Sequence, residues 1–168
     1  MQRQEELIFK KILEDNKNSI YRICRIYAVA PIEPQDLFQE VIIQIWKSLP
    51  NFKEKSSINT WIYKIALNVC LRSKDQLKKG NSNTFRLESI EFDLSERIPD
   101  TNEQERYSAL YSCISSLKES DQSLIILSLE DLPYKQIAEI SGLTENHVAV
   151  KMKRVRKILL DCISPKLN

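Results

Sequence analysis

Asn146, His147, Lys151, Lys153, Arg154, Arg156 and Lys157 crowd one short stretch of this 168-residue chain. A catalytic dyad would need His147, the single histidine, beside a Cys, Ser or Asp in a pocket. It sits instead among cations on what reads as an exposed helix face, so no enzymatic role is expected. Amides, an imidazole, ammonium and guanidinium groups side by side suit another task. They hydrogen-bond to base edges and pair with phosphates.

Two short helices would hold these groups. Ile137, Ala138 and Ile140 give the first an apolar side, and Ser141-Gly142-Leu143 is a turn in which Gly142 can take a positive φ. Thr144 is a suitable N-cap for the second helix, and Glu145 falls in its first turn. Val148, Met152, Val155 and Leu159 recur at i, i+4, i+7 and i+11, one buried stripe opposite the polar face. A short helix, a Gly turn and a basic helix with a polar N-terminal end form the helix-turn-helix shape that enters a major groove. Asn146, His147, Val150 and Lys151 are expected at base edges with Thr144 beside them, Val150 being suited to a thymine methyl. Lys153, Arg154 and Lys157 are expected at phosphates.

Composition sets the frame. Only two glycines occur, so no Gly-rich phosphate loop exists, and abundant Ile, Leu, Lys and Glu point to an all-α protein. No apolar run reaches the ~18 residues of a membrane span, and the N-terminus lacks the apolar stretch of a signal peptide. A cytoplasmic protein without membrane insertion is expected. Net charge is only +2, but it is unevenly spread. Residues 1–80 carry 14 Lys and Arg against 9 Asp and Glu, residues 81–110 carry 3 against 7, and residues 111–168 carry 8 against 7. Five of the last group's cations lie within Lys151–Lys157 with no acid among them. Cys24, Cys70, Cys113 and Cys162 are scattered without metal-ligand spacing. Reduced thiols in or near the core are expected, with no metal and no cofactor.

Periodicity places a helix over 7–27 and another restarting at Glu33-Pro34 through Leu37, Phe38, Val41, Ile42, Ile45 and Trp46 to near Leu49-Pro50. A third, capped by Ser56 or Ser57, has Ile58, Trp61, Ile62, Ile65, Ala66, Val69 and Cys70 inward. Residues 80–103 read as an acidic linker between domains 1–79 and 104–168. Beyond it come a helix with Leu110, Ile114 and Leu117, then one over 121–130 capped by Ser120. Lys64, Asn68 and Arg72 recur at i, i+4 and i+8 as an exposed stripe. Lys53, Lys55, Ser57 and Asn59 form the polar loop before it. Cations, polar edges and an aromatic face are what a single strand requires. Trp61 could supply the aromatic face, although its place on the apolar side favours a core role. On the second helix, Asp36, Phe38, Gln39, Ile42, Gln44, Trp46 and Lys47 suit a protein partner, because Phe38 and Ile42 widen the apolar surface beyond a narrow stripe. A broad core-facing helix gives the same pattern.

Three segments in this order, residues 36–52 (DLFQEVIIQIWKSLPNF), 56–70 (SSINTWIYKIALNVC) and 132–159 (LPYKQIAEISGLTENHVAVKMKRVRKIL), resemble the extracytoplasmic-function (ECF) sigma factors of bacterial RNA polymerase. The resemblance covers nearly the whole chain. It implies two helical domains, an N-terminal one docking to core RNA polymerase and a C-terminal one reading the −35 element of promoter DNA. It also implies that the loop around Lys53–Asn59 holds a flipped −10 base and that the Lys64–Arg72 stripe follows the non-template strand. The chain carries no additional sensor domain, so regulation by an anti-sigma factor is expected. Asn146-His147 stands where Gly-Thr is frequent in the family, and Ala149-Val150 where basic or hydroxyl side chains are. An autonomous helix-turn-helix repressor or activator, and a helical adaptor, are the alternatives.

Overall fold

The computed structural model describes residues 2–80 and 100–168, and the chain divides into two compact units, Met1–Ser95 and Glu96–Asn168. The described residues form seven α-helices and two short 3-10 turns, with no strand among them. Most of the acidic linker lies outside the described residues.

Unit 1 is a three-helix bundle of α1 (Gln2–Tyr27), α2 (Pro34–Ser48) and α3 (Ile58–Lys78), each packed on the other two. α1 begins five residues before the expected start, because Gln2–Glu6 are good helix formers with no breaker among them. Its polar interruption also stays helical. Asn16 is buried there, and its Nδ2 donates to the Ile12 carbonyl at 2.9 Å, which satisfies the amide inside the bundle. Pro34 opens α2 at a position where a missing N–H costs nothing. α3 is capped by Ser57, whose Oγ accepts from the Thr60 N–H. Its inward face is rotated from the expected one. Tyr63 and Leu67 are buried with Ile62, Ala66, Val69 and Cys70, whereas Ile58, Trp61 and Ile65 sit half-buried at the margin. Two neighbours, α1 and α2, flank α3, so its covered arc is wider than a single stripe.

Unit 2 contains α4 (Thr101–Ser115), α5 (Glu119–Leu129), α6 (Tyr134–Ser141) and α7 (Glu145–Ile163). α7 packs against each of the other three, with Val148, Met152, Val155 and Leu159 all buried as the spacing requires. α5 starts two residues earlier than expected, with Lys118 rather than Ser120 at its N-cap and no side-chain cap bond. The turn from α4 is tight, and the backbone N–H groups of Asp121 and Gln122 close directly onto the Lys118 carbonyl. Gln122 points back across that turn. Its Nε2 donates to the Ile114 and Ser115 carbonyls at 3.0 and 3.1 Å and so closes the end of α4.

The cysteines depart from expectation in one unit only. Cys24 and Cys70 are free and buried, and burial, followed by the hydrogen bond with Cys70, pushes the Cys24 thiol well above its usual range. Cys113 of α4 and Cys162 of α7 form a disulfide across 49 residues of sequence. Such a pairing is invisible in spacing alone, since only the α4–α7 packing brings the two together. Dithiothreitol is expected to lower the unfolding free energy of unit 2 by about 2–4 kcal/mol through release of this loop. A urea titration with and without reductant would read that as a lower midpoint, with native helicity unchanged by circular dichroism before the transition.

Candidate nucleic-acid and polymerase interfaces

Gly142 ends α6 in the left-handed region at φ 73°, with its N–H donating to the Ala138 carbonyl at 2.9 Å. That conformation is open to glycine at little cost, and it turns the chain sharply enough for α7 to begin at Glu145. Thr144 Oγ1 accepts from the His147 N–H at 3.2 Å, so Thr144 is occupied as the N-cap of α7. Asn146, His147 and Val150 are exposed on the first turns of α7, and Lys151 is half-exposed. Val150 is 63% exposed, an apolar side chain with no core to fill. Lys153 and Lys157 are exposed farther along the helix.

Arg154 is differently placed. Its Nη2 lies 3.1 Å from Oδ1 and 3.3 Å from Oδ2 of Asp121 at the first turn of α5. The carboxylate is buried, with 5% of its side chain exposed, against 58% for Arg154. Arg156 also reaches α5, with Nη2 3.4 Å from Ser128 Oγ. Sequence reading misses Asp121 because an acid in the first turn of a helix is ordinary. Only its burial against Arg154 distinguishes it.

In unit 1, Lys53, Lys55, Ser57 and Asn59 are exposed in the loop before α3 and on its first turn. Glu54 between the two lysines has φ 53°, a left-handed position unusual for a residue with a Cβ, and it bends the loop there. Ser57 also shares a hydrogen bond with Thr60 Oγ1 at 2.8 Å. Trp61 packs its ring 4.9 Å from that of Phe52 and is half-buried. Lys64, Asn68 and Arg72 are exposed along one side of α3, as their spacing requires.

The α2 surface needs correction. Phe38 and Ile42 are 3% and 2% exposed, closed inside the bundle, and neither can meet a partner. With α1 and α3 both packed on α2, the wide apolar arc is filled from within. Trp46 is 41% exposed, its ring 4.8 Å from Phe9, and Lys47 is exposed beside it. Asp36, Gln39 and Gln44 are half-exposed. Asp36 Oδ2 accepts from the Glu33 N–H at 3.2 Å, and Gln44 Nε2 donates to Ser48 Oγ at 3.1 Å. Of the α2 residues named above, those at the surface are therefore polar side chains and one tryptophan. Among the described residues, no helix is long and apolar enough to cross a membrane.

A helix-turn-helix whose second helix buries a complete apolar stripe and turns cations and amides outward belongs to the DNA-binding class. The rest of the chain makes the class narrower. The family model described as Sigma-70 region 2 matches residues 12–80, and that described as Sigma-70, region 4 matches residues 107–159. The RNA polymerase sigma factor SigV of Bacillus subtilis is 25% identical over 151 residues, covering 88% of this chain and 86% of the relative. The ECF RNA polymerase sigma-E factor of Haemophilus influenzae is 25% identical over 175 residues, covering 98% and 92%. The fold is that of CnrH, solved in complex with the cytosolic domain of CnrY, with a TM-score of 0.68 at 15% identity, covering 93% of this chain and 87% of CnrH. RpoE, solved with the anti-sigma factor NepR from Bartonella quintana, gives 0.66 at 16% identity, covering 92% and 95%. The chain belongs to the ECF sigma factors of the sigma-70 family, transcription initiation factors that direct core RNA polymerase to promoter DNA.

The corrected α2 surface separates two kinds of residue. Ile42→Ala is expected to cost about 2–5 kcal/mol of stability, as deletion from a filled core does. Lys47→Ala is expected to stay within about 0.5 kcal/mol. Chemical denaturation of the two variants measures both.

Proposed function

We propose a division of labour between the two units. Residues 1–79 bind core polymerase and open the −10 element, residues 104–168 read the −35 element, and residues 80–103 connect them. The sidedness of α7 supports this most: every apolar position of its stripe is buried, while Asn146, His147, Val150 and Lys151 are turned outward near its N-terminus. Those four residues read base edges, and Lys153 and Lys157 meet phosphates. In unit 1, Asp36, Gln39, Gln44, Trp46 and Lys47 form the polymerase-facing rim. Lys53, Lys55, Ser57, Asn59 and Trp61 hold an unstacked base, and Lys64, Asn68 and Arg72 follow the displaced strand. The protein has no catalytic group of its own and works in the cytoplasm, where polymerase and DNA are. An anti-sigma factor restrains it, a reading supported by the likeness in fold to RpoE, which was solved bound to such a partner.

Run-off transcription with purified core enzyme tests the whole reading. Specific initiation should require the chain, and the chain alone should bind promoter duplex weakly. Tight, specific duplex binding by the lone protein with no stimulation of core would instead identify an autonomous repressor.

Asn68→Ala combined with Arg72→Ala is expected to spare stability and core binding, since both side chains are exposed. Strand opening should fall. Permanganate reactivity of −10 thymines on duplex DNA should drop, and a pre-melted template should recover part of the activity, because unpairing has already been supplied. Unchanged reactivity in the double variant would remove this stripe from the melting step.

A further inference from the structure

We propose that Asp121, a residue outside the helix-turn-helix, positions the recognition helix for −35 reading by holding Arg154. Arg154 then serves the duplex as an anchor of α7 rather than as a phosphate contact. The inference rests on the assignment of α7 to the −35 element.

The geometry carries it. One Nη2 of Arg154 spans both carboxylate oxygens at 3.1 and 3.3 Å, and the carboxylate is 5% exposed. A buried carboxylate requires a charged or hydrogen-bonding partner, and Arg154 forms an ion pair with it. Asp121 lies in the first turn of α5, where the helix dipole also favours its charge. The pair therefore joins the N-terminal end of α5 to the middle of α7. A guanidinium committed in this way brings little net charge to a phosphate, because Asp121 cancels it locally.

The position of the anchor matters as much as its strength. Arg154 lies two turns beyond Asn146 and His147, roughly 11 Å along the axis at ~1.5 Å per residue. A tilt of about 10° about that point would carry the base-reading turn by about 2 Å, more than the whole tolerance of a hydrogen bond. The apolar stripe of Val148, Met152, Val155 and Leu159 fixes how close α7 lies to its neighbours. Apolar contact is non-directional, whereas a charge pair held on two oxygens is directional. The pair therefore supplies orientation that the stripe does not.

The test uses the full chain with core polymerase on two promoter templates, taken from an in vitro selection with the holoenzyme. One carries the selected −35 element and the other a scrambled one. The readout is the ratio of open complexes formed on the two. Asp121→Asn is expected to lower this ratio about tenfold, with little change on the scrambled template and no change in salt slope. Arg154→Lys keeps a cation for a phosphate but ends in a shorter-reaching ammonium in place of the Nη2 that meets Asp121. It should lower the ratio in the same way, and being a surface substitution it keeps the test open if Asp121→Asn does not fold. Asp121→Glu, which retains the carboxylate, should restore most of the ratio.

A phosphate role predicts the opposite pattern. Arg154→Lys would then be nearly silent, Asp121→Asn would strengthen binding to both templates, and Arg154→Ala would weaken both alike with the salt slope falling by about 1. That result would overturn the proposal. A wild-type ratio well above one that Asp121→Asn and Arg154→Lys both leave intact would overturn it alone. A wild-type ratio of one would bring down the −35 assignment itself, and this proposal with it.

Discussion

Unit 2 depends on a single helix that must fill a core and present a surface at once. α7 is the element on which α4, α5 and α6 all pack, and its outward side is the one that can enter a groove. At 3.6 residues per turn the two demands fall on interleaved positions of one sequence. Val148, Met152, Val155 and Leu159 go to the core, and most of the positions between them stay exposed. Arg154 sits at the boundary between these classes. Its guanidinium bonds to Asp121 of α5, so it belongs to neither set.

That boundary explains what the sequence could and could not convey. The helix-turn-helix was legible because each of its devices is local. Gly142 at φ 73°, the Thr144 cap and the stripe of four apolar residues all act within a few positions of one another. The exposed row of Lys64, Asn68 and Arg72 was legible for the same reason, since one helix's periodicity fixes it. What stayed hidden depends on a second element. Phe38 and Ile42 read as surplus surface on α2 until α1 and α3 are seen to fill both sides of it. Tyr63 and Leu67 enter the core because α3 is flanked twice. Asp121 needs Arg154, 33 positions away, and Cys113 needs Cys162 across 49. No local pattern carries such pairings.

The ties that hold α7 differ in kind as well as in place. Near its N-terminus the hold is apolar, through Val148. In its middle it is ionic, through Arg154 and Asp121. Near its C-terminus it is covalent, through Cys162, with Lys166 Nζ reaching Ser112 Oγ at 3.2 Å just beyond. These respond to different conditions. A reducing compartment opens disulfides, and salt weakens exposed charge pairs more than buried ones. The middle tie is an ion pair and not a disulfide, so a reductant that opens the C-terminal tie does not act on it. It also lies nearer the N-terminus of α7 than the disulfide does.

The distribution of charge also bears on why a polymerase is needed at all. Five cations lie within Lys151–Lys157, and Asp121 neutralises Arg154, whereas the Ser128 hydroxyl beside Arg156 carries no charge to cancel. Lys151, Lys153, Arg156 and Lys157 then keep their charge. Phosphate neutralisation supplies nearly all of the sequence-independent affinity of a DNA-binding protein, and its size scales with the number of contacts. A helix that commits one of its cations internally has one fewer to offer a phosphate. The Arg154 charge is held inside the unit by Asp121. Under the proposed division of labour, such a helix would discriminate among promoters once core RNA polymerase has brought it to DNA.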